Sequence, residues 1–350
     1  MAGEHLAREI GEQPEVLAGL LDLERANVAR IAAAVRARDV GFVVIAARGT
    51  SDNAARYAQY VFGARNRLPV ALAAPSLFTL YAAPPDLRRA LVLGISQSGE
   101  SPDILAVVAE GRRQGAPTLA ITNAPESPLG RAAEFVLPLH AERERSVAAT
   151  KTYTAQLLAL AMLSAAFDGA EGSEDAWRDL AAAPGAVGAA LTLGDEIARR
   201  AERYRYVDRL VTSGRGYSYG TAFELALKLK ETCYILAEPY SPPDFLHGPV
   251  AIIDEGFPGL LVAPGGAAYD DMLAFARTLH ERGAELIAIT DREELLALAH
   301  TPLRLPATLP EWLAPLAAVV PGQLLALHLA RTKGLDPDRP RGLSKVTRTR

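Results

Sequence analysis

The stretch Leu91-Val92-Leu93-Gly94-Ile95-Ser96-Gln97-Ser98-Gly99-Glu100-Ser101-Pro102 decides the fold. Five apolar residues without alternation are the pattern of a strand buried on both faces, as in a parallel sheet. The Ser/Gly segment that follows breaks the strand. Pro102 suits the first helical turn and Ser101 the N-cap, and Ile104 to Gln114 continues as a helix. Strand, polar turn and helix in that order make half of a βαβ unit, and ligands of such sheets bind beyond the carboxyl ends of the strands. Ser96, Ser98 and Ser101 offer hydroxyl donors there, and Gly99 lets backbone amides approach an anion. The loop is therefore expected to hold the phosphate of a small phosphorylated metabolite. A capped turn without a ligand is the plainer alternative. Thr50 and Ser51, at the corresponding turn after another strand, weigh against it.

Outward from this stretch the same grammar recurs. A helix over Glu15 to Arg36 precedes the strand Phe42 to Ala46, and a helical pattern spans Ala54 to Phe62. Strands at Thr118 to Ile121 and Phe135 to Leu137 follow, then a helix from Lys151 to Phe167. Asp168 to Glu174 reads as linker or loop, and a further helix covers Asp195 to Tyr204. The pattern then restarts with strands at Leu210 to Ser213, Leu260 to Pro264 and Leu286 to Thr290. Gly214-Arg215-Gly216-Tyr217-Ser218 echoes Ala47-Arg48-Gly49-Thr50-Ser51, a weak internal repeat. Alternating strands and helices predict an α/β chain of two parallel sheets with right-handed crossovers. Only the first half has the Ser/Gly loop, so the halves are expected to carry unequal duties.

Composition narrows the function classes. The chain has 350 residues, which suggests about two domains, with 49% apolar and 22% charged residues and a net charge of −4. The only basic run is Arg348-Thr349-Arg350, so no nucleic-acid surface is expected. Cys233 is the single cysteine, which rules out an intrachain disulfide or a cysteine zinc cluster. No metal or other cofactor is expected. Residues 1–13 lack the apolar core of a signal peptide. The longest apolar stretch, Leu157 to Phe167, is too short to span a bilayer, so no membrane association and a cytoplasmic location are expected. No Gly-x-x-x-x-Gly-Lys-Ser/Thr motif occurs, and Gly214, Gly216 and Gly220 miss the dinucleotide spacing by one residue.

Three positions outside the loop attract chemistry. Glu231 ends Phe223-Glu224-Leu225-Ala226-Leu227-Lys228-Leu229-Lys230-Glu231, where Glu224 and Lys228 also make the i,i+4 pair of a solvated face. His247, in Asp244-Phe245-Leu246-His247-Gly248-Pro249, sits in a turn rather than a core, whereas His5, His280, His300 and His328 read as surface or packing residues. His140, ending a strand, is a minor candidate. Lys345 follows Arg339-Pro340-Arg341-Gly342-Leu343-Ser344, and physics alone reads it as part of a frayed basic tail.

Taken together, these segments identify a resemblance. The chain resembles the sugar isomerase (SIS) family, and within it the isomerase part of glucosamine-6-phosphate synthases. The similarity runs from Arg8-Glu9-Ile10-Gly11-Glu12-Gln13-Pro14 through Gly49-Thr50-Ser51, Ser96-Gln97-Ser98-Gly99-Glu100, Val147-Ala148-Ala149-Thr150-Lys151, Ala226 to Glu231 and Leu246-His247-Gly248-Pro249 to Asp338-Arg339-Pro340-Arg341-Gly342-Leu343-Ser344-Lys345. It implies two tandem flavodoxin-like SIS domains, over residues 29–170 and 171–333, with a helical segment 1–28 before them. Residues 334–350 would form a tail closing over the active site.

The resemblance also implies roles. Ser96, Gln97, Ser98 and Ser101 would hold the phosphate, with Thr50, Ser51 and Val147 lining the sugar site. Glu231 would move the proton between C1 and C2 with Lys228 close by. His247 would assist ring opening from the partner subunit of a homodimer, and Lys345 would form an imine with the C2 carbonyl. Three departures stand out: Ala149 where the synthases have serine, Ser101 where they have threonine, and Arg48 where they have a small residue. No glutaminase segment with a cysteine nucleophile precedes these motifs, so the expectation is a glucosamine-6-phosphate deaminase. Another sugar-phosphate isomerase or a fructosamine-6-phosphate deglycase is the nearest alternative. A sugar-phosphate-sensing regulatory protein is the alternative of another class.

Overall fold

The computed structural model describes residues 2–345. It contains two five-stranded sheets in which every recorded pairing is parallel. The first holds β1 (Phe42–Ala46), β2 (Val70–Leu72), β3 (Ala90–Ile95), β4 (Thr118–Thr122) and β5 (Phe135–Pro138), in the order β2-β1-β3-β4-β5. The second holds β6 (Arg209–Gly214), β7 (Leu236–Tyr240), β8 (Pro258–Val262), β9 (Glu285–Thr290) and β10 (Thr301–Arg304), in the order β10-β9-β8-β6-β7. Counted from β6, that order is again second, first, third, fourth, fifth. Both sheets therefore have flavodoxin-like topology, with the chain reversing direction across the sheet between the first and third strands.

The reason these segments are strands is burial on both faces. Every residue of β3, β4 and β8 is buried, as expected of a sheet covered by helices above and below. Gly94 in β3 marks one close approach: a Cβ there would lie 2.8 Å from both Leu129 and Val108.

The chain divides into two compact units. One gathers residues 15–144 and 151–181 with Ser344 and Lys345 around the first sheet. The other gathers the chain up to Pro14 with residues 145–150 and 182–343 around the second. In the first unit, helix Thr50–Asn66 packs on helix Lys151–Phe167. In the second, helix Tyr219–Cys233 packs on helix Ala314–Thr332, close enough that a Cβ on Gly322 would fall 2.3 Å from Leu225.

Three expectations need correction. Asp168 to Glu174 is not a linker throughout, because a helix runs Ala170–Leu191 and only Asp168-Gly169 separates it from the helix before. Leu157 to Phe167 is not the longest apolar stretch. Helix Ala314–Thr332 is long and apolar enough to cross a membrane by length and composition, yet 89% of that window is buried inside the protein, as in a core helix. The strands β2, β7 and β10 were not legible in the sequence. They are edge strands, and β2 and β7 are largely uncovered, so their residues carry little apolar pattern.

Candidate functional site

In the first unit, the register opposes Ala46 of β1 to Gly94 of β3. The turns that follow these strands, one opening at Ala47 and the other at Ser96, leave the same end of the sheet at its reversal point. There the Ser96–Ser101 loop folds on itself. The Gly99 amide donates to Ser96 Oγ at 3.1 Å, and the Glu100 amide donates to Ser98 Oγ at 3.3 Å. The Gln97 carbonyl accepts from the Asn123 amide at 3.2 Å and from Thr122 Oγ1 at 3.3 Å, which pins the loop to β4.

Gly99 has φ +64°, and a Cβ there would lie 1.9 Å from Ser127 Oγ. Only glycine fits both the left-handed backbone and the space. Ser101 is the N-cap of helix Pro102–Arg113, as the sequence suggested, but its side chain makes no capping hydrogen bond. Its hydroxyl stands at the positive end of the helix without that duty. Ser96 is buried, Gln97, Ser98 and Ser101 are half-buried, and Glu100 is exposed.

Thr50 opens helix Thr50–Asn66, and Gly49 before it has φ +54°. Ser51 is buried, and its Oγ accepts from Gln156 Nε2 at 2.9 Å. That bond leaves the Ser51 hydroxyl its own proton to donate. Lys345 is not a frayed tail residue. Its Nζ donates to Glu144 Oε2 at 2.8 Å, and Glu144 is buried. The same carboxylate accepts from the Thr152 amide at 3.2 Å and Thr152 Oγ1 at 2.8 Å. His140 is committed to Glu24, with Nε2 and Oε1 2.7 Å apart.

In the second unit, Glu231 occupies the last turn of helix Tyr219–Cys233. The reading of Glu224 and Lys228 as a solvated face is overturned, since their side chains are 0% and 2% exposed. Lys228 Nζ donates to Glu231 Oε2 at 2.7 Å and lies 3.4 Å from Glu224 Oε1. One buried ammonium is thus shared by two carboxylates, of which only Glu231 reaches solvent, with 23% of its side chain exposed. Glu231 is the group in this cluster able to meet a ligand.

His247 caps the short helix Pro242–Leu246 and is exposed. No hydrogen bond joins its ring to another side chain among the described residues. Val147 is half-buried in the segment 145–150. Sequence reasoning missed what holds that segment. The buried carboxylate of Glu9 accepts from the Arg145 amide and from the Ser146 amide, the latter at 3.1 Å. The Arg8-to-Pro14 motif was the available signal, although a carboxylate's backbone partners cannot be read from spacing.

The second sheet's counterpart of the Ser96–Ser101 loop, Ala263 to Ala268 after β8, has no hydroxyls. Its amides are already occupied: Ala267 N and Ala268 N donate to Glu311 Oε2 and Oε1 at 2.8 and 3.1 Å. A carboxylate of the chain itself sits on the start of helix Tyr269–Glu281. Among the described residues, no group of three or more His, Cys, Asp or Glu side chains could hold a metal ion.

Comparison with known proteins agrees with this architecture. The SIS domain profile matches residues 38–166 and 204–332. The glutamine–fructose-6-phosphate aminotransferase (isomerizing) of Thermus thermophilus is 37% identical over 352 residues, covering 97% of this chain and 58% of that protein. The chain therefore spans less than two thirds of the length of the curated relatives it matches. The crystal structure of a phosphosugar isomerase-like protein from Silicibacter pomeroyi shares 38% identity at a TM-score of 0.85, covering 96% of this chain and all of that one. Glucosamine-6-phosphate deaminase from Thermotoga maritima superposes with a TM-score of 0.80 over 99% of this chain and all of that one. At 21% identity the likeness concerns the fold alone.

Proposed function

From the premise that this chain belongs to the SIS domain family, we propose that it isomerises a 6-phosphorylated amino sugar and releases ammonia, converting glucosamine-6-phosphate to fructose-6-phosphate. The observation that carries this reading is the Glu231 carboxylate, partly exposed and held at 2.7 Å by the buried Lys228. Proton transfer beside a carbonyl needs one positioned base that can take and return a proton, a contribution of about 10²–10⁴-fold. The Ser96–Ser101 loop offers hydroxyls and a helix start suited to a phosphate, and the nitrogen chemistry is inferred from the aminotransferase relatives.

In this scheme Ser96, Gln97, Ser98 and Ser101 bind the phosphate, while Thr50, Ser51 and Val147 line the sugar site. His247, exposed on its own subunit, serves ring opening in the partner of a homodimer. Glu231 takes the proton from C2 of the open-chain amino aldehyde, giving an enolamine, and returns it to C1. The product is an imine at C2. Water adds to that carbon and ammonia leaves, so the ketone of fructose-6-phosphate remains. Lys345, once released from Glu144, can exchange with the C2 nitrogen through its own imine.

Incubation of the purified protein with glucosamine-6-phosphate should release ammonium and fructose-6-phosphate in equal amounts. Glu231→Gln should reduce the rate at least about 10²-fold. Unchanged turnover in that variant removes Glu231 from the mechanism. Interconversion of hexose-6-phosphates without ammonium release would favour the simple ketose–aldose isomerase, the reading to which the Silicibacter pomeroyi likeness points.

A further inference from the structure

The sugar-phosphate reading leaves one charged pair beside the loop unexplained. Asp103 is the second residue of helix Pro102–Arg113, two positions past Ser101, and it is 1% exposed. Its Oδ1 accepts from the Ile104 amide at 2.9 Å, and its Oδ2 lies 2.7 Å from Arg48 Nε. A carboxylate in the first turn favours the helix by itself. Beside a bound phosphate it has the opposite effect, because both negative charges compete for one positive helix end and the buried one is poorly screened.

Arg48 answers this problem in position and in chemistry. Ala46 pairs with Gly94, so Arg48 and Ser96 each stand two residues beyond a paired position at the same end of neighbouring strands. The guanidinium reaches Asp103 through Nε, and about half of its side chain remains exposed. Its two terminal NH2 groups have no recorded hydrogen bond among the described residues. The other charges nearby are spoken for or remote from burial: Asp52 pairs with Arg56 at 3.1 Å, and Glu100 is exposed.

We propose that Arg48 is a specificity-determining residue for the phosphate, its guanidinium compensating the buried Asp103 carboxylate so that the Ser96–Ser101 loop accepts a dianion. This rests on the reading of that loop as the phosphate site. Arg48 balances charge at the anchor and takes no part in proton transfer, so its loss raises KM for a phosphosugar and leaves kcat nearly unchanged. Lysine at position 48 preserves most of the effect, since it keeps the charge.

The test is titration of the intact protein with inorganic phosphate at fixed ionic strength, repeated by competition against glucosamine-6-phosphate. Arg48→Ala should weaken phosphate binding on the order of tenfold or more, as expected when a positive charge beside both the phosphate and a buried carboxylate is removed. Asp103→Asn should bind at least as tightly as the unaltered protein, and Arg48→Ala/Asp103→Asn should return to within about threefold of it. Unfolding midpoints without phosphate separate these effects from loss of folding, and Arg48→Lys provides a second folded variant. Arg48→Ala binding as well as the unaltered protein overturns the proposal. A double variant as weak as Arg48→Ala, or a weakened Asp103→Asn, overturns it equally. Absence of phosphate binding in the unaltered protein fails the reading of the loop instead.

Discussion

At the residue scale, burial decides what a charged side chain does. Glu224 and Lys228 are spaced as an ordinary surface pair, but spacing fixes only that they share a helix face, not that the face points inward. Inside the protein, Lys228 becomes the counter-ion of two carboxylates. Lys228→Met should therefore cost about 3–5 kcal/mol of stability, the usual loss when one partner of a buried ionic group is removed. Denaturant unfolding measures it, and a cost below about 1 kcal/mol would show that the carboxylates find other partners. Cys233 behaves in the contrasting way. Burial pushes its thiol up to about 11, and its Sγ donates to the Ala326 carbonyl at 3.2 Å. Thiolate is the reactive form, so alkylation at about pH 8 should be slow in the folded protein and rapid after denaturation. Mass analysis of the two samples distinguishes them.

At the element scale, the two halves share a topology but not a use of it. After β3, the helix start meets a loop of hydroxyls, one of which, Ser101, makes no cap. After β8, the corresponding amides are taken by Glu311. The sequence made the difference visible as missing serines, yet it gave no hint that a residue more than forty positions away fills the place. Glu311→Ala removes two charge-assisted hydrogen bonds and should destabilise the protein by about 1.5–3 kcal/mol. Glu311→Gln keeps an acceptor and should lose less. Equal losses in the two variants would show that packing rather than charge fixes helix Tyr269–Glu281. Interior strands were legible because continuous apolar runs report burial on both faces; edge strands such as β7 have no such pattern.

At the scale of the whole molecule, stability should depend on pH through His328. Burial, with Arg331 nearby and Asp195 partly offsetting it, lowers the pKa of this histidine from its ordinary value. The folded state thus resists a proton that the unfolded chain accepts. Stability is unaffected by this group at neutral pH and falls as pH drops below about 6.5, the ordinary range for histidine. Unfolding midpoints from about pH 7.5 down to about pH 5.5 should decline, and His328→Gln should flatten that decline. An identical slope in both proteins assigns the decline to other groups.

The sequence by itself determined the α/β class and the two-sheet organisation, because periodicity and turn chemistry are local and are written within a few residues of each other, and its ordered motifs carried the resemblance to the family. It also singled out Glu231, His247 and Lys345 through their motifs. The tertiary structure alone decided which charges are buried together. Lys228 between Glu224 and Glu231, Lys345 on Glu144, Arg48 on Asp103 and Glu311 on the second sheet's amides are all set by packing. Three of these four join segments far apart in the chain. Even the fourth, along one helix, depends on which face the core covers. Desolvation and charge pairing act through space, and no local pattern of residues reports them.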